Sequence, residues 1–364
     1  MMKNPVTISL RILLPLTVLA FTYLIVILAL NSFNDYKPED AAIKRSHSAE
    51  AHDTVFQGTY SMLSWNIGYG GLNKNADFFY DGGSMVFPGK QEYKHSIDQI
   101  FKQLHSFDSI SFILLQEIDT ASARSYYTNQ YQNISSRLNN HHGVFVKNYD
   151  VSFVPVPLFK PLSRVTSGFS LFSIYRAAEI RMTVFPGKFP WPRQLFMPDR
   201  CFMTCSYVTG SGKYLHIIHT HNSAFDNGTL REQQINLLNQ HMELLYARGD
   251  YVIAGGDWNI NPPGYKNTPF LSGDTAFEVS FSGQYKPGGK DWTIAFDPQY
   301  PTNRDVSTQY VPGHTPATII DFFVCSPNID VVRVETLHDG FLHSDHQPVY
   351  LRFKLNNQFK TNGL

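Results

Sequence analysis

Apolar and polar positions divide the chain into three stretches that follow different rules. Ile12–Leu30 (ILLPLTVLAFTYLIVILAL) runs for 19 residues without a charge. As a helix it rises about 28 Å at about 1.5 Å per residue, close to the roughly 30 Å hydrocarbon core of a bilayer. Residues 1–30 therefore read as an N-terminal membrane anchor, with a cleaved signal segment as the rival. The run exceeds a signal peptide's apolar region and Leu28-Ala29-Leu30 is a poor cleavage site, so the anchor is preferred. Lys3 and Arg11 ahead of it favour a cytoplasmic N-terminus. The rest of the chain is then outside the cytoplasm, tethered if the helix stays and secreted if it is cut. Residues 31–55 are polar, mixed in charge and aperiodic, and read as a linker.

From Thr59 onward, short apolar runs alternate with helical spacing. Tyr60–Trp65, Phe112–Leu115, Val144–Val154, Gly168–Ile174, Phe202–Val208, Tyr214–Ile218, Tyr251–Ala254, Ile319–Val324 and Val349–Phe353 predict strands. Tyr93–Leu104 places Ile97, Ile100, Phe101 and Leu104 on one helical face. Leu230–Leu245 does the same with Ile235, Leu237, Leu238, Met242 and Leu245. Strands outnumber helices and several are consecutive. Residues 56–356 thus predict one α/β domain of two packed sheets flanked by helices, in preference to a doubly wound sheet.

Charge changes the picture in one respect. Lys+Arg and Asp+Glu are equal at 30 each, and residues 51–364 remain close to neutral. A long nucleic-acid groove ordinarily carries a basic surplus, so nucleic acid is a possible partner but not the favoured one. Three cysteines, Cys201, Cys205 and Cys325, form no disulfide framework and read as small buried hydrophobes.

Polar groups stand where the apolar strands end. Asn66 closes one run, Glu117 another, and His219 and His221 follow a third. Asp257 and Asn259 follow Gly255-Gly256. Asp321 lies within Ile319–Phe323, and Ser344-Asp345-His346-Gln347-Pro348 precedes the last run. Singly, each reads as a turn or a solvated strand end. Asp257 and Asn259 say more, because residues two apart on extended chain point the same way and the glycines admit close approach. Together, six strand ends bearing carboxylate, amide or imidazole groups predict a shared cleft.

In this order the motifs SWNIG (64–68), LLQEID (114–119), SGFSLFS (167–173), HTHN (219–222), GGDWN (255–259), IDFF (320–323) and SDHQP (344–348) make the chain resemble the endonuclease/exonuclease/phosphatase superfamily. That group includes DNase I-like nucleases, inositol polyphosphate 5-phosphatases and neutral sphingomyelinases. The resemblance implies a four-layer α/β/β/α sandwich and metal-dependent phosphoesterase activity. It implies that Glu117 and Asn66 hold a divalent metal, with Asp345 supporting the metal or its water. Asp257 would orient or deprotonate the attacking water and Asn259 would bind a phosphate oxygen. His346 would act beside the phosphate with Asp321 fixing its tautomer, and His221 would donate to the opposite phosphate oxygen. Oxygen ligands point to Mg²⁺, or Mn²⁺.

Ile67-Gly68-Tyr69-Gly70 departs from the Gly-x-Arg that follows the first Asn in abasic-site nucleases, which weakens a DNA-repair reading. Asp257-x-Asn259-x-Asn261 opens like a calcium loop, but Pro262 and Thr268 occupy the positions of the required Gly and Glu. A zinc pair at His219 and His221 is a further rival. Near neutrality, export and an apolar anchor favour a lipid or small-molecule phosphodiester over a secreted or surface nuclease. A catalytically inactive, membrane-tethered binding module is the alternative of another class. Phe185–Pro198 (FPGKFPWPRQLFMP) and Val154–Pro161 (VPVPLFKP) read as Pro-stiffened loops. The sharper reading has Trp191, Arg193 and Phe196 meeting substrate or a bilayer interface.

Overall fold

The computed structural model describes residues 5–43, 53–55, 58–224, 226, 228–279 and 286–356. Lys3, residues 44–52 of the expected linker and the expected domain start at residue 56 lie outside them. A long helix, α1 (Pro5–Phe33), is followed by two short strands, β1 (Ala41–Ala42) and β2 (Thr54–Val55). Then come β3 (Thr59–Asn66), α2 (Lys90–His105), β4 (Phe112–Asp119) and α3 (Gln130–Ser135). Five strands follow without an intervening α-helix: β5 (His142–Val154), β6 (Ser163–Ser173), β7 (Glu179–Val184), β8 (Cys201–Thr209) and β9 (Tyr214–His221). After α4 (Thr229–Ala247) come β10 (Tyr251–Asp257), β11 (Thr293–Ala295), β12 (Asn303–Arg304), β13 (Ala317–Thr318) and β14 (Asp321–Cys325). β15 (Ile329–Thr336) and β16 (Val349–Leu355) complete the set.

Two large sheets form. One has the order β15-β16-β3-β4-β6-β5, the other β1-β7-β8-β9-β10-β14-β11 with β2 paired to β8. Pairing is mostly antiparallel. The pairs β3–β4 and β9–β10 are parallel, and each is joined through a crossover helix, α2 or α4. Period-2 alternation explains the layers. On β4, Phe112 and Leu114 enter the core between the sheets while Ile113 and Leu115 pack against Ile97, Ile100 and Phe101 of α2. On β10, Tyr251 and Ile253 face the same inter-sheet core while Val252 and Ala254 meet Ile235, Leu238 and Met242 of α4. Strands covered on both faces need continuous apolar runs, which is what these segments have. The result is the expected four-layer sandwich. Cys201, Cys205 and Cys325 are free and buried. Burial pushes the Cys325 thiol up to about 12, so it packs as a hydrophobe.

Two strands carry no clear apolar run. β7 (EIRMTV) and β15 (IDVVRVET) are largely half-exposed, because β15 is an edge strand and β7 is covered beyond only by the two residues of β1. The expected strand at Ile319 begins at Asp321. The chain after α1 is held to both sheets. Tyr36 Oη donates to the Lys147 carbonyl on β5 at 3.2 Å, Val184 N–H donates to Asp40 at 2.7 Å, and β1 pairs with β7.

Gly256 lets the second sheet close at its functional end. Its φ of 137° lies outside the range of L-side chains, and a Cβ there would stand 2.0 Å from the Thr220 carbonyl oxygen on β9. Gly256→Ala should therefore destabilise the fold by about 1–3 kcal/mol, the usual range for forced overpacking. Urea denaturation checks this, and an unchanged midpoint would show that β9 and β10 tolerate separation there.

Candidate active site

Strand register gathers the site. Asp257 ends β10 and pairs directly with His221 on β9 and with Asp321 on β14, so three of the expected site residues form one row across three strands. From the facing sheet, Asn66 at the end of β3 pairs with Gln116, next to Glu117. Glu117 sits where β4 bulges against β6, with φ of 55°. The extra residue turns its side chain toward the rim.

The side chains interlock. Asn66 Nδ2 donates to Glu117 Oε1 at 3.3 Å and to Asp257 Oδ2 at 3.1 Å, while its Oδ1 accepts from Gly68 N–H at 3.0 Å. Asp257 Oδ1 accepts from Asn259 N–H at 3.0 Å, and its Oδ2 lies 3.5 Å from His221 Nε2 and 3.7 Å from His346 Nε2. His346 Nδ1 stands 2.8 Å from Asp321 Oδ2. Asn259, with φ of 52°, donates from Nδ2 to the Asn222 carbonyl at 3.0 Å. Asp345 is buried beside Ser344, 3.2 Å from its hydroxyl. All eight residues expected at the centre thus converge on one rim: Asn66, Glu117, His221, Asp257, Asn259, Asp321, Asp345 and His346.

Electrostatics sort these groups. Burial raises Asp257 to about 7, with the His346 charge opposing and Asp321 reinforcing the shift. For His346, burial acts downward, but Asp321 and Asp257 outweigh it and hold the imidazole well above its ordinary value. His221 goes the other way, pushed well down by burial and then by Arg200, His346 and His219. The site therefore sets a charged imidazole and a neutral one on either side of a carboxylate that titrates near neutrality.

His219 does not join them. Burial pushes it down to about 3, and its Nε2 accepts from Gln116 Nε2 at 2.6 Å, with the Phe169 ring edge-on at 4.9 Å. It belongs to the inter-sheet core beneath the rim, so it is not paired with His221 around a common ion.

Among the described residues, Asp257, Asp321 and His346 bring ligand atoms within 4.8 Å of one another, with His346 Nδ1 already 2.8 Å from Asp321 Oδ2. Glu117, Asp345 and Asp81 form a looser set of carboxylates whose charges act on one another. Burial raises Asp81 to about 7, with Asp345, Asp305 and Glu117 adding to the shift. Burial also raises Asp345, which the His346 charge offsets and Glu117 reinforces. Carboxylate oxygens of this kind suit a hard divalent cation, whose charge would offset the burial that raises Asp81 and Asp345.

Asp81, Asn303 and Arg200 were not apparent from the sequence. Asn303, on β12, brings its amide to 3.0 Å from His346 Nε2. Arg200 is half-buried, its charge reaches Glu117, Asp257 and His221, and its guanidinium has no hydrogen-bond or ion-pair partner among the described residues. It lines a crevice with Phe185, Gly187, Lys188, Phe189 and Ser223.

The endonuclease/exonuclease/phosphatase family model matches residues 63–346. Among solved structures, ANGEL2, a 2',3'-cyclic phosphatase, in complex with adenosine-2',3'-vanadate, shares the fold. Identity is 14%, coverage is 86% of this chain and 99% of that one, and the TM-score is 0.54. The human Nocturnin catalytic domain with bound sulfate aligns at 16% identity over 84% of this chain and 98% of its own, TM-score 0.48. An endonuclease/exonuclease/phosphatase from Beutenbergia cavernae DSM 12333 aligns at 14% identity over 82% and 72%, TM-score 0.48. No curated protein matches the sequence.

The Asp321–His346 contact makes a direct prediction. A carboxylate raises the imidazole, so Asp321→Asn should let His346 lose its proton at lower pH. An NMR titration of the His346 ring should show the midpoint moving down. A midpoint that stays or rises would mean that Asp321 does not set the charge of His346.

Proposed function

This chain belongs to the endonuclease/exonuclease/phosphatase family, whose members hydrolyse phosphoester bonds, and on that premise we propose divalent-metal-dependent hydrolysis of a phosphodiester. The observation that carries the reading is the buried chain from Asp321 through His346 to Asp257, closed from the facing sheet by Asn66. Such a chain supplies a base and a cationic donor within 4 Å of each other, as an in-line displacement by water requires.

Glu117, Asp345 and the second lone pair of Asn66 Oδ1, with Asp81 nearby, would hold Mg²⁺ or Mn²⁺, which when bound lends positive charge to the phosphoryl oxygens. Asp257, titrating near neutrality, orients the attacking water and takes its proton. His346, kept charged by Asp321 and Asp257, donates N–H to a phosphoryl oxygen. Neutral His221 donates to the opposite oxygen, and Asn259 offers its second amide hydrogen. Arg200, with no partner among the described residues, adds a cation to the lining of the crevice, suited to a phosphate oxygen. An inactive binding module would have no need of this whole set.

A near-neutral charge balance and the apolar α1 favour a lipid phosphodiester over nucleic acid. The test uses the full chain in detergent with bis-nitrophenyl phosphate. EDTA should abolish turnover and Mg²⁺ or Mn²⁺ should restore it. Asp257→Asn and His346→Ala should each lower kcat by roughly 10²–10⁴-fold with little change in Tm. Restoration by Zn²⁺ alone, or near-full activity in either variant, would overturn the assignment. DNA cleavage that collapses with salt, with no hydrolysis of phospholipid vesicles, would replace the lipid substrate with nucleic acid.

A further inference from the structure

Leu13–Phe33 is long and apolar enough to cross a bilayer, and the side chains from Leu13 to Val26 are mostly exposed. Its last turns are not. Ile27 and Asn31 are buried, and the helix packs on β5 and on the short helical turn Arg193–Phe196. Asn31 Nδ2 donates to the Phe153 carbonyl at 3.0 Å, and Phe153 N–H donates back to Asn31 Oδ1 at 3.3 Å. The amide thus occupies the open edge of β5 as a partner strand would, and a polar group near the end of an apolar helix is satisfied by protein.

This clamp sets depth. Ile27 precedes Phe33 by six residues, about 9 Å along the helix at about 1.5 Å per residue. If the span ends at Phe33, groups packed on Ile27 lie below the plane of its end, at the roughly 5–10 Å depth of interfacial segments. Two loops leave from that contact. Beyond Phe153, β5 ends at Val154 and the chain turns through Leu158 and Phe159, which are 62% and 98% exposed. The second loop carries Trp191, 63% exposed. The loops are joined below their tips. Phe196 packs with Val151, Val154 and Leu162, and its carbonyl accepts from Tyr149 Oη at 2.9 Å. Phe196 is therefore a half-buried strut, not a tip as its sequence context suggested.

We propose that Leu158, Phe159 and Trp191, fixed beside the end of α1 by the Asn31–Phe153 clamp, form a surface seated in the interface of a lipid bilayer. Large apolar side chains at such exposure are costly in water, and Trp is favoured at the headgroup level. Gln194, within the turn that touches α1, and Met197, just after it, also line the crevice beside Arg200. The surface thereby turns the crevice's outer wall toward lipid. It deepens the lipid-substrate reading without depending on it, since the test below reads position and not turnover.

The three native cysteines are fully buried, so an introduced thiol can be labelled selectively. Full-length chains carrying Phe159→Cys, Trp191→Cys or Val332→Cys are labelled with a fluorophore and reconstituted in phosphatidylcholine nanodiscs containing nitroxide lipid. Val332 is exposed on β15 at the opposite edge of the sheet from β5, about 24 Å away at about 4.8 Å per strand. Labels at 159 and 191 should be quenched several-fold more than the label at 332. Adding Asn31→Ala should bring the 159 label back toward the 332 value. Equal quenching at all three positions would overturn the surface, and full quenching at 159 despite Asn31→Ala would overturn the clamp.

Discussion

Asn66 donates to two carboxylates that belong to different sheets, Glu117 on its own and Asp257 on the facing one. That amide is short, so both bonds tolerate only small shifts of either rim. The two rims must therefore stay in register to well under an ångström, although their sheets pack roughly 10 Å apart. Close-packed side chains supply the stiffness. Phe112, Phe169, Phe323 and Phe353 fill the space between the sheets, and interiors packed to crystal density do not slide freely. Gln116 and His219 add a polar bridge between the sheets directly beneath the rim.

From this constraint the electrostatics follow. Holding Asp257 between Asn66, His221 and His346 places it out of water, and burial drives its affinity for a proton up to about 7. The same closeness lets Asp257 and Asp321 keep His346 charged. Neither group has its ordinary titration behaviour: Asp257 is displaced chiefly by burial, and His346 by Asp321 and then Asp257 against burial. Strained backbone supports the placement: Glu117 and Asn259 both have positive φ, a cost that surrounding structure must over-determine.

The central rim was legible in the sequence because it is carried by strands. A buried strand announces itself as an apolar run, and the residue at its end inherits a predictable place. Asn66, His221, Asp257 and Asp345 were located in this way. Asp81 and Asn303 lie on segments with no such run, while Arg200 directly precedes the run of β8 but stands in no recognised motif; tertiary packing brings all three to the cleft. Asn31 shows the same limit from the other side. It looked like the first residue of a linker, yet it is buried against β5, because a single amide matching an open strand edge leaves no periodic trace. Phe196 was misjudged for a related reason: a Pro-rich aromatic stretch does not reveal which of its rings turn inward.

The central claim is that the carboxylates around Asn66 are arranged for a divalent cation, and binding can be measured apart from catalysis. Mn²⁺ titrated into the purified full chain and followed by electron paramagnetic resonance should show a tight site at Glu117 and Asp345. Glu117→Gln, with an unaltered circular dichroism spectrum, should remove that site. Failure of the wild-type chain to bind Mn²⁺, or undiminished binding by Glu117→Gln, would contradict the account.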